Sequence, residues 1–183
     1  MIHIAIPYFS GTGHAKRLAE LVSQGVTRGG ATATLIDVAT IQPADWDVLA
    51  GVDAVIFGAP THMGSVAGAF KKFMDDSSDI WFDRRWANKL AGGFTTGVSH
   101  GGDKLNSLSQ LCLFAAQHGM IWVGQDEIGA PVIKENVGIN TSGIWLGLGA
   151  TDSADKTRLI DAGDAETAQR FGARIADAAM RWS

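Results

Sequence analysis

The sequence has little of several features that would direct a chain to the cell exterior or to a membrane. A single cysteine, Cys112, excludes an internal disulfide and is compatible with a reducing cytoplasm. No apolar run approaches the roughly 20 residues that a membrane-spanning helix needs. The N-terminal segment lacks the basic region of a secretory signal. We therefore expect a cytoplasmic protein with no membrane partner.

Positive charge is also scarce, and this limits the classes of partner. The 183 residues include 15 Lys and Arg against 19 Asp and Glu, a formal charge of −4. Nucleic-acid binding needs a basic surface, so we expect no nucleic-acid partner. The sequence contains no Cys/His cluster with metal-ligand spacing and no visible Ser-His-Asp arrangement, so we expect no metal site.

Strand-like and helix-like segments alternate along the chain. This alternation predicts an α/β fold in which helices cover both faces of a parallel sheet, as one domain over residues 1–183. The last helix is predicted over 164–182, whereas the segment 125–163 is irregular. Within this irregular segment, "GIWLGLGA" either continues the fifth strand or lines a pocket with Trp145. The five predicted strands lie within residues 2–6, 31–40, 53–60, 90–97 and 120–124.

Loops rich in Gly, Ser and Thr follow the first, third and fourth of these strands. In parallel sheets, ligands bind beyond the carboxyl ends of the strands. The coincidence of three such loops at one edge of the sheet therefore predicts the binding site there. The loops are residues 10–15, 60–65 and 95–102.

The first loop, "SGTGHA", leads directly into a helix and is typical of phosphate binding. A nucleotide-binding P-loop is excluded by the spacing of Gly11 and Gly13 and by Arg17 after Lys16. A dinucleotide fingerprint would need a third glycine at Lys16, although Asp37 lies where a ribose-binding acid would be. A terminal phosphate needs many donors at once, and the hydroxyls and free amides of this loop favour it.

Three segments, "PYFSGTGHAKRLAE", "GAPTHMGSVAGAFKKFMD" and "AAQHGMIWVG", together resemble the flavodoxin-like superfamily. They are similar, more closely, to the WrbA-type NAD(P)H:quinone oxidoreductases, over about residues 2–124. The resemblance implies a three-layer αβα sandwich whose five-stranded parallel sheet has the order 2-1-3-4-5.

The resemblance also implies FMN as cofactor and assigns residues to it. The first loop would bind the phosphate through Ser10, Gly11, Thr12, Gly13, His14 and Ala15. The second would lie along the isoalloxazine ring at Pro60, Thr61, His62, Met63 and Gly64. The third would reach the pyrimidine end and ribityl chain through Thr95, Thr96, Gly97, Val98 and Gly101.

Two further residues are implied by the family. His118 in "HGM" would be catalytic, near the reacting face of the flavin, and would polarise or protonate the acceptor. Trp81 would contact the substrate by covering the site of a neighbouring subunit, which implies a homodimer or homotetramer. The chain departs from the family at Thr12, usually aromatic, and at His62-Met63, usually Arg-Phe. The resemblance implies that these positions face the second substrate.

The implied reaction takes electrons from NADH or NADPH and passes two electrons to a quinone-like acceptor by a ping-pong mechanism, with the chemistry residing in the flavin. A flavodoxin-type one-electron carrier and an NAD(P)H-dependent FMN reductase are the alternatives. Carriers are typically strongly acidic and flank the flavin with aromatic residues. This chain is mildly acidic and has no Phe, Tyr or Trp in 60–65 or 95–103, which favours the enzyme. The intact first loop argues against a binding module that has lost the flavin.

Overall fold

A parallel sheet forms the middle layer of the molecule. The computed structural model describes residues 1–183. The strands are β1 (His3–Tyr8), β2 (Thr32–Asp37), β3 (Ala54–His62), β4 (Ser65–Val66), β5 (Leu90–Gly97), β6 (Ile121–Trp122) and β7 (Leu148–Thr151). Their hydrogen-bonded order is β2-β1-β3-β5-β6, with every pair on this path parallel. This is the expected order 2-1-3-4-5.

The sheet differs from the five continuous strands of the prediction in having seven strands. β4 forms a short antiparallel hairpin with β3 beyond the edge of the main sheet. The fifth position is divided between β6 and β7, which both pair in parallel with β5. The chain leaves the sheet between them, and Trp122 closes this excursion by donating its indole N–H to the carbonyl of Leu146 at 2.7 Å. "GIWLGLGA" therefore continues the fifth strand, one of the two interpretations left open by the sequence.

Helices cover both faces of the sheet, as predicted. One face packs against α1 and α6 and the other against α2 to α5, each through its own cluster of buried apolar side chains. None of these helices combines the length and apolar character needed to cross a bilayer. The helices are α1 (His14–Arg28), α2 (Pro43–Gly51), α3 (Gly68–Asp76), α4 (Ser78–Phe82), α5 (Lys104–Gln117) and α6 (Ala162–Trp182).

The helix α2 was not predicted from the sequence. It buries one side chain, Leu49, so its apolar periodicity is weak. Its start nevertheless has a readable signal, because Pro43 occupies the first turn and Gln42 forms a capping box with Asp45, whose carboxylate accepts the Gln42 N–H at 2.7 Å.

The parallel order brings the three loops to one edge. β1, β3 and β5 are neighbours, so the segments that follow them emerge side by side. The Phe9 N–H donates to the Gly58 carbonyl at 3.0 Å, and Pro60 is paired in register with Thr96. The sheet thereby brings the predicted loops together.

Candidate functional site

The first loop joins β1 to α1 and forms a group of free amide donors. Gly13 adopts a left-handed conformation (φ 96°), and its N–H donates to Ser10 Oγ at 3.1 Å. The remaining amides of the turn have no acceptor in the protein, because they precede the first intrahelical bond. They belong to Gly11, Thr12, His14, Ala15 and Lys16.

The second loop is the two-residue turn of the β3–β4 hairpin. Met63 and Gly64 both have positive φ, 50° and 79°, as in the type I′ turns that favour Asn-Gly. The Met63 side chain is 91% exposed, although methionine is disfavoured in this conformation. The carbonyl of Gly64 accepts the side-chain N–H of Asn106 at 2.5 Å, which fixes the turn to α5. The anchored turn therefore presents an apolar side chain to solvent.

The third loop begins on buried strand residues. Thr95 and Thr96 are buried, and their hydroxyls bond protein groups: Thr95 lies 2.8 Å from the Thr61 hydroxyl, and Thr96 donates to the carboxylate of Asp152. Val98 and Gly101 follow the strand and are exposed. The exposed part of the loop is thus the part free to meet a ligand, and the two threonines support it from below.

A cluster of charged side chains behind the third loop was missed by the sequence analysis. Lys104 is fully buried, and its ammonium donates to the His100 carbonyl at 3.2 Å and to the Thr151 hydroxyl at 2.9 Å. Burial lowers the pKa of Lys104, whereas Asp164 and Asp152 act in the opposite direction. Burial likewise raises the pKa of Asp164, whose carboxylate accepts the Thr151 N–H at 2.8 Å.

The remaining predicted residues, Trp81 and His118, do not join the loops of their own chain. His118 caps the carboxyl end of α5, whereas the third loop precedes its first residue. The 14 residues of α5 rise about 20 Å, so His118 lies at the far end of the helix from the third loop. Trp81 lies on α4 and is 47% exposed.

The imidazole of His118 is buried in an aromatic environment. Its ring centroid lies 4.4 Å from that of Trp86 and 4.8 Å from that of Phe114. Its Nε2 lies 3.0 Å from Ser77 Oγ, and its Nδ1 has no hydrogen-bond partner. Burial lowers the pKa of His118 to about 4, so the ring is neutral at physiological pH.

Both residues line one cavity of about 420 Å³ between α3, α4 and α5. Its wall is mixed, with apolar side chains beside amides and the buried imidazole. The fold therefore brings Trp81 and His118 together in a cavity that meets the second loop through Gln110, which accepts the Ser65 hydroxyl at 2.8 Å. The lining residues are Lys71, Met74, Asp75, Ser77, Ser78, Trp81, Gln110, Leu113, Phe114, Gln117 and His118.

Known proteins are similar to this chain over nearly its whole length. A crystal structure described as a flavodoxin, WrbA-like protein from Agrobacterium tumefaciens is 36% identical, covers 100% of both chains and superposes with a TM-score of 0.78. Flavodoxin FldP of Pseudomonas aeruginosa is 39% identical over 181 residues, 96% of each chain. The chain belongs to the WrbA-like group of the flavodoxin-like superfamily.

Two further comparisons bear on the chemistry of this WrbA-like chain. An NAD(P)H dehydrogenase (quinone) of Archaeoglobus fulgidus is 30% identical and covers 99% of both chains. The family model of the NADPH-dependent FMN reductases matches residues 46–133, which include the second and third loops. Together the comparisons support FMN as the cofactor and NAD(P)H as its reductant.

The residues of the WrbA-like chain fit the phosphate and ring of FMN. The free amides of the first loop provide the several donors that a phosphate dianion requires, at the positive end of the α1 dipole. A Cβ added at Gly11 or at Gly101 would meet no protein atom within 4 Å, so both loops border open space. The first loop would hold the phosphate, and the second and third loops would border the ring.

Proposed function

We propose that the protein is an FMN-dependent oxidoreductase that takes electrons from NADH or NADPH and passes two electrons to a quinone or similar small acceptor, in a ping-pong cycle. The observation that carries this proposal is the composition of the second and third loops. They contain no Phe, Tyr or Trp, and their outermost side chains, Met63 and Val98, are exposed. A flavin face without a covering aromatic ring suits a small planar substrate.

The first and second loops have distinct roles in this proposal. FMN, when bound, supplies hydride acceptance from the nicotinamide and two-electron donation to the acceptor. The free amides of the first loop, at Gly11, Thr12 and His14 to Lys16, bind its phosphate. Backbone N–H groups of the turn at Met63 and Gly64 stabilise negative charge on the reduced ring, and the Met63 side chain limits water access from one side.

We also propose a homodimer or homotetramer in which the cavity between α3, α4 and α5 meets the flavin site of a neighbouring subunit. Within one chain, His118 lies about 20 Å along α5 from the third loop, and Trp81 lines the same cavity as His118. We therefore assign a contribution of these residues to catalysis to a second copy. There Trp81 would cover the acceptor. His118 would line the site without the polarising role implied by the resemblance, because its one N–H is donated to Ser77 Oγ.

Flavin titration followed by anaerobic reduction tests the proposal. FMN added to the flavin-free protein should lose fluorescence as it binds, and NADH or NADPH should then bleach the bound flavin by two electrons. Benzoquinone should then reoxidise the bound flavin and restore its visible absorbance. Absence of FMN binding at tens of micromolar, or of bleaching by either nucleotide, would overturn the proposed function.

A one-electron carrier is the second candidate, because Flavodoxin FldP is similar to this chain over nearly its full length. Anaerobic reduction of the bound flavin, by dithionite and by NADH or NADPH in parallel, separates the two functions. A carrier would be reduced by dithionite in two resolved one-electron steps and would oxidise pyridine nucleotides negligibly.

An NAD(P)H-dependent FMN reductase is the third candidate, since the matching family model has that description. It would use free FMN as a substrate, so its rate would saturate with added FMN. The proposed enzyme would instead show a rate that is independent of FMN once the site is filled.

A further inference from the structure

His14 lies directly behind the first loop, and its imidazole faces inward. The side chain is 6% exposed, its Nδ1 lies 3.0 Å from Thr12 Oγ1, and its Nε2 is buried without a partner. The carboxylate of Asp152 lies 3.9 Å from the same Nδ1. The imidazole is thus placed between an exposed threonine hydroxyl and a half-buried negative charge.

These contacts select one tautomer of His14. A carboxylate 3.9 Å away stabilises a proton on Nδ1 and repels a bare lone pair there. A proton on Nε2 would instead leave a buried donor unsatisfied. Nδ1–H therefore donates to Thr12 Oγ1, and the hydroxyl proton of Thr12 is left to point away from His14, toward the open side of the loop.

Asp152 is itself held in place from two directions. Its carboxylate accepts the hydroxyl of Thr96, and its backbone N–H donates to the Gly97 carbonyl at 3.1 Å. The preceding residue, Thr151, is fixed by the buried ammonium of Lys104. Since Asp152 is anchored to the third loop, the orientation of His14 in the first loop depends on this anchored charge.

We propose that Asp152 and His14 are positioning residues that orient the Thr12 hydroxyl as a hydrogen-bond donor to the phosphate of FMN. The inference rests on the proposed function. It assigns the polar chain Asp152–His14–Thr12 to recognition of a phosphate monoester. It also gives a role to Thr12, which occupies a position where the family usually has an aromatic residue.

The test compares the affinities of FMN and riboflavin, which differ only in the phosphate, by quenching of flavin fluorescence. Thr12→Val removes the donor at an exposed position and should weaken FMN binding about tenfold, as expected for a hydrogen bond to a charged group. Riboflavin binding should be unchanged. Thr12→Ser, which keeps the hydroxyl, should restore most of the FMN affinity.

Substitutions of His14 test the positioning role. Asparagine can place an N–H near the position of Nδ1, whereas glutamine reaches the position of Nε2. His14→Asn should therefore retain FMN affinity, and His14→Leu and His14→Gln should lower it about tenfold. Asp152→Asn should lower the FMN-to-riboflavin affinity ratio several-fold, because it removes the carboxylate charge that orients His14.

Two matched controls define the outcome. His3→Asn alters another imidazole–threonine pair, with Thr34, at the opposite end of the sheet, and Asp155→Asn alters an exposed carboxylate near Asp152. Both should leave the ratio unchanged. Equal losses of FMN and riboflavin affinity in the His14 and Asp152 variants would overturn the inference while the proposed function stands. Failure of the unaltered protein to bind FMN would overturn both.

Discussion

The Nε2 of His118 lies 3.0 Å from Ser77 Oγ, and this contact joins the end of α5 to the junction of α3 and α4. Ser77 has one hydroxyl proton, which it donates to the Met74 carbonyl at 2.7 Å. His118 must therefore be the donor in its contact with Ser77. The ring is then neutral, with Nδ1 as an unpaired buried acceptor.

This neutral, buried state predicts a loss of stability in acid. The pKa of His118 is lowered to about 4 in the folded protein, from 6.5 in the unfolded chain. Between these values the unfolded state binds more protons, so the free energy of unfolding falls as pH decreases from 6.5 to 4. The shift corresponds to at most about 3 kcal/mol. Urea unfolding at pH 7.5, 6, 5 and 4.5 measures it.

The matched variant is His118→Gln, which can keep a donor near Ser77 without a titrating group. Wild type should lose more stability than this variant over the same pH range, because only wild type has the buried imidazole. The carboxylates titrate equally in both proteins. Parallel stability curves for the two proteins would contradict the burial of a neutral imidazole at this position.

Gly172→Ala should destabilise the protein although alanine is the better helix former. A Cβ at Gly172 would lie 2.1 Å from the Val22 carbonyl oxygen, where α6 crosses α1. Separation of the two helices should cost about 3 kcal/mol, measured by chemical denaturation. The control is Gly51→Ala in α2, where a Cβ meets nothing within 4 Å and should be neutral or stabilising by up to about 1 kcal/mol. Similar effects of both substitutions would contradict the close packing of α1 and α6.

The proposed homodimer or homotetramer predicts that Trp81 is needed for association of the subunits. Trp81 and its neighbour Phe82, which is 79% exposed, form an apolar surface on α4. Light scattering should give a dimer or tetramer for wild type and a smaller species for Trp81→Ser, with parallel loss of quinone turnover and retained FMN binding. Trp182→Ser, at the far end of α6, is the control. A monomeric wild type with full activity would refute the shared site.

The parallel sheet could be predicted because its strands are buried on both faces. β5 spans the "LAGGFTTG" segment, Leu90–Gly97, and its side chains are buried except at Gly97. A strand that is buried on both faces needs a continuous apolar run, and such a run can be recognised in the local sequence alone. The strand order followed from the family resemblance, and the fold confirms it.

The sequence left open whether "GIWLGLGA" continues the fifth strand, because β6 has only two residues and 25 residues separate it from β7. Asp152 follows β7 directly and reaches His14 only through this pairing. A charge whose partner is so distant in sequence leaves no local pattern. The roles of His118 and Trp81 came from the resemblance alone and stay predictions.

Met63 combines an unfavourable backbone conformation with an exposed apolar side chain, and a single substitution separates the two. Met63→Asn places a preferred residue in the type I′ turn and should raise the free energy of unfolding by about 0.5–1 kcal/mol. The same change removes the apolar surface and should raise KM for an apolar quinone several-fold. Met63→Leu is the control and should keep both the low KM and the wild-type stability. Increased stability with unchanged KM in Met63→Asn would show that the side chain does not contact the acceptor.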